Sequence, residues 1–213
     1  FAEHIYAFLV NPYAEAVKDD PISRRLIFTA LHETFITYLK VAFFSAIFLL
    51  YVLFRFFQLS FNNPIISNSF KYLEPFLKPM RYVLPILFGI DLSALALVIL
   101  AKFGLFNLIF SADQIFDSLD ALSWAAIGSL YMASQIIRYS LFISIFASWL
   151  APMSNNSFLN ICHGLTQPLL SPFQRFASFS GIDFSPIIVF FLLIQIDRVL
   201  LTLGANLELP RFI

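Results

Sequence analysis

The sequence predicts an all-α membrane protein, with four transmembrane helices arranged as two span-connector-span repeats and amphipathic interfacial helices as the connectors. Three observations predict it. Of 213 residues, 60% are hydrophobic and 12% charged, with a mean hydropathy of +0.83, whereas soluble domains carry about 25% charged residues. A soluble fold of this length could not keep so much apolar surface from water. Four runs approach the ~20 apolar residues that a helix needs to cross a bilayer. Finally, a set of proline, asparagine and Gly-Ile-Asp landmarks occurs twice in the same order.

Residues 1–34 read as an N-terminal extension. Phe1, Ile5, Phe8 and Leu9 fall at helical spacing beside Glu3 and His4, which predicts a helix lying on the membrane surface and ending near Asn11-Pro12. The sequence opens at Phe1 rather than methionine, as a chain lacking its first residues would, and no signal-peptide pattern is present. Asp20-Pro21 reads as an N-cap followed by proline at the first helical position. A helix from there to Phe57 would be ~55 Å long, so its first turns stand outside the hydrocarbon.

The spans are read at residues 35–57, 90–110, 124–150 and 184–203. The first has Lys40 and Arg55 near its ends; Lys102, Arg138 and the pair Asp197-Arg198 lie inside the other three. Residues 35–110 form the first repeat and 124–213 the second. Residues 111–123 join them as a short acidic linker carrying Asp113, Asp117 and Asp120.

The connectors, residues 58–89 and 151–183, are too apolar for ordinary loops. Ile66, Phe70, Leu73, Leu77, Met80 and Leu84 recur at alternating steps of three and four, with Lys71, Glu74, Lys78 and Arg81 on the other side. That is the pattern of an amphipathic helix in the interface plane. The second connector repeats it with Phe158, Cys162, Leu165, Leu169 and Phe176 opposite Asn160, His163, Gln167 and Ser171. Each carries two prolines four residues apart, Pro75 and Pro79 or Pro168 and Pro172, so each helix is expected to bend or break.

An offset of 93 places Pro75 and Pro79 on Pro168 and Pro172, and Asn62-Asn63 on Asn155-Asn156. An offset of 92 places Gly89-Ile90-Asp91-Leu92-Ser93 on Gly181-Ile182-Asp183-Phe184-Ser185. The repeats are parallel in topology, unlike the inverted repeats common in transporters.

Thr166-Gln167-Pro168-Leu169-Leu170-Ser171-Pro172-Phe173-Gln174-Arg175, then Gly181-Ile182-Asp183-Phe184-Ser185-Pro186, with Ser148-Trp149 and Asn155-Asn156 before them, resemble the signature of the YggT family of small bacterial membrane proteins. The first repeat departs from it: Glu74 precedes Pro75, only Arg81 follows Pro79, and Ala94 replaces the last proline. Ser144 stands where family members often have an arginine. The resemblance covers about residue 35 to the end. It implies a non-enzymatic envelope protein in the bacterial inner (plasma) membrane. Members are linked to cell division, to osmotic or potassium homeostasis, and in plastids to nucleoid organisation and cytochrome assembly.

Asp91 and Asp183 are placed to cap the second and fourth spans, where a carboxylate accepts from free N–H groups and suits the helix dipole; an ion or ligand site is the less favoured reading. The P-x-x-x-P elements read first as bends and second as a docking surface. Lys71, Lys78, Arg81 and Arg175 then sit near headgroups, each attracting anionic lipid by about 1 kcal/mol. Counting residues from the connector side puts Arg138 and Asp197 at matching depths, which predicts an ion pair between antiparallel neighbours. Lys102 counts to a similar depth, with Gln195 on it at an offset of 93. The alternative is a polar track through the membrane.

No Gly-rich phosphate loop, paired histidines or G-x-S-x-G occurs. No enzyme activity, metal or cofactor is therefore expected. The single Cys162 has no internal partner, and 13 basic residues balance 13 acidic ones, which gives no reason to expect nucleic acid. The expected partners are the bilayer, including anionic headgroups, and other membrane proteins. Lys71, Lys78, Arg81 and Arg175 on the connector side face Lys18, Arg24, Arg25 and Arg211 on the other, so the basic-residue rule does not choose an orientation. Two functions fit: a scaffold or assembly factor using the connector face, or an ion-conducting or ion-regulating protein using the charges within the spans.

Overall fold

The computed structural model describes residues 21–87, 89–110, 117–150, 156–179 and 182–210. The surface helix expected over residues 1–12 and the Asp20 cap lie outside the described residues. Helix α1 is Pro21–Phe56, followed by α2 (Pro64–Leu77), a 3-10 turn at Met80–Tyr82, strands β1 (Ile86–Leu87) and β2 (Ile90–Asp91), and α3 (Leu92–Phe110). The second half repeats the order: α4 (Ser118–Leu150), α5 (Ser157–Ala177), β3 (Ser178–Phe179), β4 (Ile182–Asp183) and α6 (Ser185–Asn206). Two compact units divide the chain, Phe1–Phe43 and Phe44–Ile213. Within the first unit the described chain is α1 throughout.

Among the described residues three helical stretches are long and apolar enough to cross a membrane: His32–Phe56, Ser118–Leu150 and Ser185–Asn206. In α3 the apolar stretch is the shorter Leu92–Asn107. The fold class therefore holds at the level of a mostly helical membrane protein. The linker is shorter than expected, because α4 starts at Ser118. Asp117 Oδ1 accepts from the N–H groups of Leu119 and Asp120 at 2.7 and 2.9 Å, while Asp120 Oδ2 accepts from Asp117 N at 3.0 Å. That reciprocal cap satisfies the open donors of a helix start.

Helix α4 is the hub of the second unit, packed against α3, α5 and α6. Lys102 meets Gly128 and Phe106 meets Trp124, so α3 runs antiparallel to α4. Arg138 meets Asp197 and Trp124 Nε1 donates to Pro210 O at 3.1 Å, so α6 does the same. The larger core gathers Phe48, Tyr51, Val52 and Phe54 of α1 with Leu59, with Ile66, Phe70 and Leu77 of α2, with Ala94 and Val98 of α3, and with Ile161 and Leu165 of α5. A smaller one joins Leu141, Leu170, Val189 and Leu193.

The connectors lie at one end of this unit and touch. Asn63 Oδ1 accepts from Ile65 N at 3.0 Å and caps α2, with Pro64 in the first turn. Its Nδ2 donates to Ser157 O at 2.6 Å, at the start of α5. Gly164 lies so near Leu59 that an added Cβ would come within 2.7 Å of Leu59 Cδ2.

One expectation about the connectors is corrected, one is narrowed, and one feature is new. The first amphipathic helix ends at Leu77, so Met80 and Leu84 are not part of it. The second does not break: α5 runs through both Pro168 and Pro172. Pro172 has no N–H for the carbonyl of Pro168, but Ser171 Oγ donates to that carbonyl at 3.2 Å. At the matching place in the first connector stands Lys78, whose side chain bears no hydroxyl, and there the helix stops. Each connector also closes with a two-stranded antiparallel hairpin, pairing Ile86 with Asp91 and Ser178 with Asp183. Gly89, at φ +81°, supplies the left-handed residue of the first turn. These registers fix the offset at 92 beyond the hairpins, so Ile194 rather than Gln195 corresponds to Lys102.

Candidate functional site

In the first repeat the connector residues converge on one guanidinium. Arg81, just beyond Pro79, donates from Nη2 and Nε to Asp91 Oδ2 at 2.6 and 3.0 Å. It donates from Nη1 to Glu74 Oε1 at 2.7 Å, and Nη2 also reaches the Tyr51 hydroxyl at 2.5 Å. Asp91 is fully buried. Its Oδ1 accepts from Ser93 N and Ala94 N at 3.1 and 3.4 Å, at the start of α3. One carboxylate thus caps a helix with one oxygen and holds a cation with the other. Burial is the largest single influence on Arg81 and opposes its charge. The hydrogen bonds to Glu74 and Asp91 together outweigh it, so the guanidinium titrates above its ordinary range.

The second repeat builds the same framework without the charges. Gln174 occupies the place of Arg81 and Gln167 that of Glu74, each at an offset of 93. Gln174 Nε2 donates to Asp183 Oδ2 at 3.2 Å, and Gln167 Nε2 donates to Gln174 Oε1 at 3.3 Å. Asp183 Oδ1 accepts from Ser185 N at 2.8 Å at the start of α6, where Pro186 occupies the first turn. Unlike Asp91, Asp183 is exposed. Ser185 and Gln174 together hold its carboxyl below the usual range against the opposing effect of burial. Tyr51 corresponds to Ser144, whose buried hydroxyl has no hydrogen-bond partner. Arg175 is exposed beside Ser171, Pro172 and Gln174 in an open depression.

Within the helices, Arg138 Nη1 pairs with Asp197 Oδ2 at 2.5 Å. Gln135 joins them, donating from Nε2 to Asp197 Oδ2 at 3.1 Å and accepting from Arg138. Asp197 Oδ1 is buried without a partner. Lys102 is buried and donates from Nζ to Gly128 O at 2.9 Å. Gly128 lies seven residues before Gln135, about 10 Å along α4, so Lys102 does not share the level of Asp197. Counting from helix starts assumed that both began at one height, and α3 meets α4 farther from the connectors than α6 does. Arg198 is exposed and Gln195 half-buried; neither joins the pair.

Pro75 lies inside α2 and Pro79 just beyond its end, while Pro168 and Pro172 lie inside α5. Sequence reasoning missed Tyr51, Glu74, Gln174 and Gln135 as site residues. The offset of 93 that aligns the prolines also sets Gln174 on Arg81, and that signal was available for Gln174. Nothing local marks Tyr51, thirty residues away from its arginine. Among the described residues no cluster of His, Cys, Asp or Glu suits a metal ion.

The family model described as CCB3/YggT matches residues 33–110 and 123–204, one stretch in each half. The "Uncharacterized protein PA0392" of Pseudomonas aeruginosa is 32% identical over 185 residues, covering 78% of this chain and 89% of that protein. An "Uncharacterized protein" of Haemophilus influenzae is 32% identical over 157 residues, covering 72% and 82%. The "Uncharacterized protein in proC 3'region" of Vibrio alginolyticus is 25% identical over 134 residues, covering 61% and 72%. No solved structure matches.

Proposed function

The chain belongs to the CCB3/YggT family, and on that premise we propose that it is a non-enzymatic, multi-pass scaffold or assembly factor of the cell envelope. It sits in the inner membrane and acts through its connector face. In this reading α3 is the fourth span: its 19 residues give ~28 Å, close to the ~30 Å hydrocarbon thickness. Two connectors meeting at one end fit an even number of crossings.

The observation that carries the proposal is the pairing of α2 with α5 at that end, with large apolar side chains turned outward. Tyr72, Phe76 and Val83 are exposed there, and Tyr82 is 93% exposed. Aromatic side chains with a polar tip favour the membrane interface, while Phe76 and Val83 offer apolar area to lipid or to a membrane partner. Glu74, Arg81 and Asp91 of the first repeat are occupied by one another, which suits a fixed platform.

The experiment is site-specific crosslinking from Phe76 and Tyr82 in native membranes, followed by identification of the adducts. A discrete membrane-protein partner, lost when both residues become serine, is the expected result. Crosslinks to lipid alone from both positions would end the scaffold reading.

One observation favours a second reading, ion transport linked to osmotic or potassium homeostasis. Asp197 Oδ1 is a buried carboxylate oxygen without a partner, and buried carboxylates in membranes often mark ion paths. Ion flux in liposomes that Asp197→Asn abolishes would establish it. Arg138 on the other oxygen supports a structural pair instead.

A further inference from the structure

The two repeats pose one question at their connector ends: the first supplies its own cation to its aspartate, and the second does not. Asp183 is exposed and is engaged on Oδ2 by the amide of Gln174, where Asp91 is engaged by the guanidinium of Arg81. Close in sequence, Arg175 projects from α5 at the depression that Ser171, Pro172 and Gln174 also line. Among the described residues Arg175 has no ion pair, and it is not joined to Asp183, although Gln174 links that depression to the carboxylate. One exposed cation and one exposed carboxylate thus flank a single glutamine and leave each other's charge unmatched.

The level of the connector end in the membrane is marked by its aromatic residues. Trp149, at the connector end of α4, is 75% exposed, and Phe158 and Phe184 are exposed nearby in sequence at the starts of α5 and α6. Tryptophan concentrates where hydrocarbon gives way to headgroups. A ligand arriving at that level with both signs of charge is a zwitterionic phospholipid.

We infer that the second repeat binds the headgroup of an ethanolamine phospholipid, its phosphate against Arg175 and its primary ammonium against Asp183. The ammonium donates to the Asp183 carboxylate that Gln174 orients, as the Arg81 guanidinium donates to Asp91 in the first repeat. A guanidinium fork suits a phosphate. A trimethylammonium head has no N–H to donate, and a glycerol head has no cation, so the site selects phosphatidylethanolamine over phosphatidylcholine and phosphatidylglycerol. The depressed titration of Asp183 keeps the carboxylate ionised at neutral pH. This inference rests on the connector face lying at the interface, as proposed above.

The test is native mass spectrometry of the full chain in detergent, with equimolar ethanolamine, choline and glycerol phospholipids of identical acyl chains. An exposed ion pair contributes up to about 1 kcal/mol, so the ethanolamine lipid is expected to be retained roughly two- to fivefold over the others. Asp183→Asn, which can still accept from Ser185 N, brings the three lipids to parity; Arg175→Gln lowers all three together and Arg175→Lys restores them. Parity in the wild-type chain, or a preference that survives Asp183→Asn, overturns the inference. So does a co-purifying basic protein that Asp183→Asn releases without any lipid preference, because the cation would then come from a partner's side chain. Depth-dependent quenching of Trp149 by headgroup-level and mid-chain quenchers separates the two failures. Shallow quenching with lipid parity removes only the headgroup site, and deep quenching removes the interfacial reading beneath it.

Discussion

The two connector ends share a backbone and differ in charge. Both place an aspartate on a short hairpin, two residues before an N–H that its Oδ1 accepts, and both reach its Oδ2 with the residue two after a proline. The first is a Glu74–Arg81–Asp91 network, buried at Asp91 and completed by Tyr51; the second is a Gln167–Gln174–Asp183 chain, exposed at Gln167 and Asp183. Because hairpin and cap persist without the cation, the aspartate and the turn set the geometry, and the arginine locks it. Charge is distributed the opposite way within the spans. The second repeat holds the pair Arg138–Asp197, whereas the corresponding places in the first are Ser45 and Leu105. Among the described residues each repeat keeps one ion-paired cluster, the first at the connector end and the second within the helices.

The largest expected effect comes from removing the lock. Arg81→Met leaves Asp91 buried without its cation, at a cost of about 3–5 kcal/mol. Gln174→Met exposes nothing comparable and costs less than about 1 kcal/mol. Unfolding midpoints of both variants in one detergent make the comparison, and equal losses would show that burial of Asp91 does not distinguish the repeats.

Next in size is the ion pair within the spans. Reversing Arg138 or Asp197 alone strands a charge in hydrocarbon, at about 2.5–3.5 kcal/mol. The double reversal should recover more than half of that loss. Ser45→Ala, at the first repeat's matching place, should stay within about 0.5 kcal/mol of the parent, since the hydroxyl it removes has no partner. Accumulation in membranes and unfolding in detergent read both, and an unaffected single reversal would remove the pair from the account.

How far the sequence foretold this follows from the range of each interaction. The long apolar helices were legible because every turn of a lipid-exposed helix must be apolar, which writes a long signal. The aspartates were legible because a cap acts on the next few residues. The antiparallel Arg138–Asp197 contact could be counted, since both residues lie on helices bounded by one connector. The same count failed for Lys102, because contact level on α4 depends on where α3 docks, which no local pattern records. The hairpins were missed because two-residue strands are too short to alternate. Arg175 drew attention over Gln174 because it carries the charge, yet Gln174 makes the contact with Asp183; alignment of the halves, rather than charge, identifies the equivalent of Arg81.

A smaller effect is expected from transplanting the first cluster into the second. Gln174→Arg with Gln167→Glu would offer Asp183 the guanidinium that Asp91 has. The site is exposed, so the gain should be no more than about 1 kcal/mol, and it should fall with added salt. A gain as large as the loss in Arg81→Met would mean that burial contributes little to the first cluster, and the distinction between the ends would vanish.

The smallest effect is a pH dependence confined to the second repeat. Ser185 first, and then Gln174, hold the folded Asp183 carboxyl below its unfolded value. A depressed folded value means that the carboxylate adds stability above the unfolded value of about 4, and that this is lost as pH falls through the folded one. Solvent screening keeps the contribution small. Asn at 183 still caps α6 but does not titrate, so the gap in unfolding temperature between parent and Asp183→Asn should be greatest near neutral pH and close below about pH 4. Arg81 behaves in the opposite sense: its raised titration keeps the cation through neutral and moderately alkaline pH, so no alkaline slope in that range arises from it. If the gap between parent and Asp183→Asn instead widened on acidification, the hydrogen bonds would favour the neutral acid.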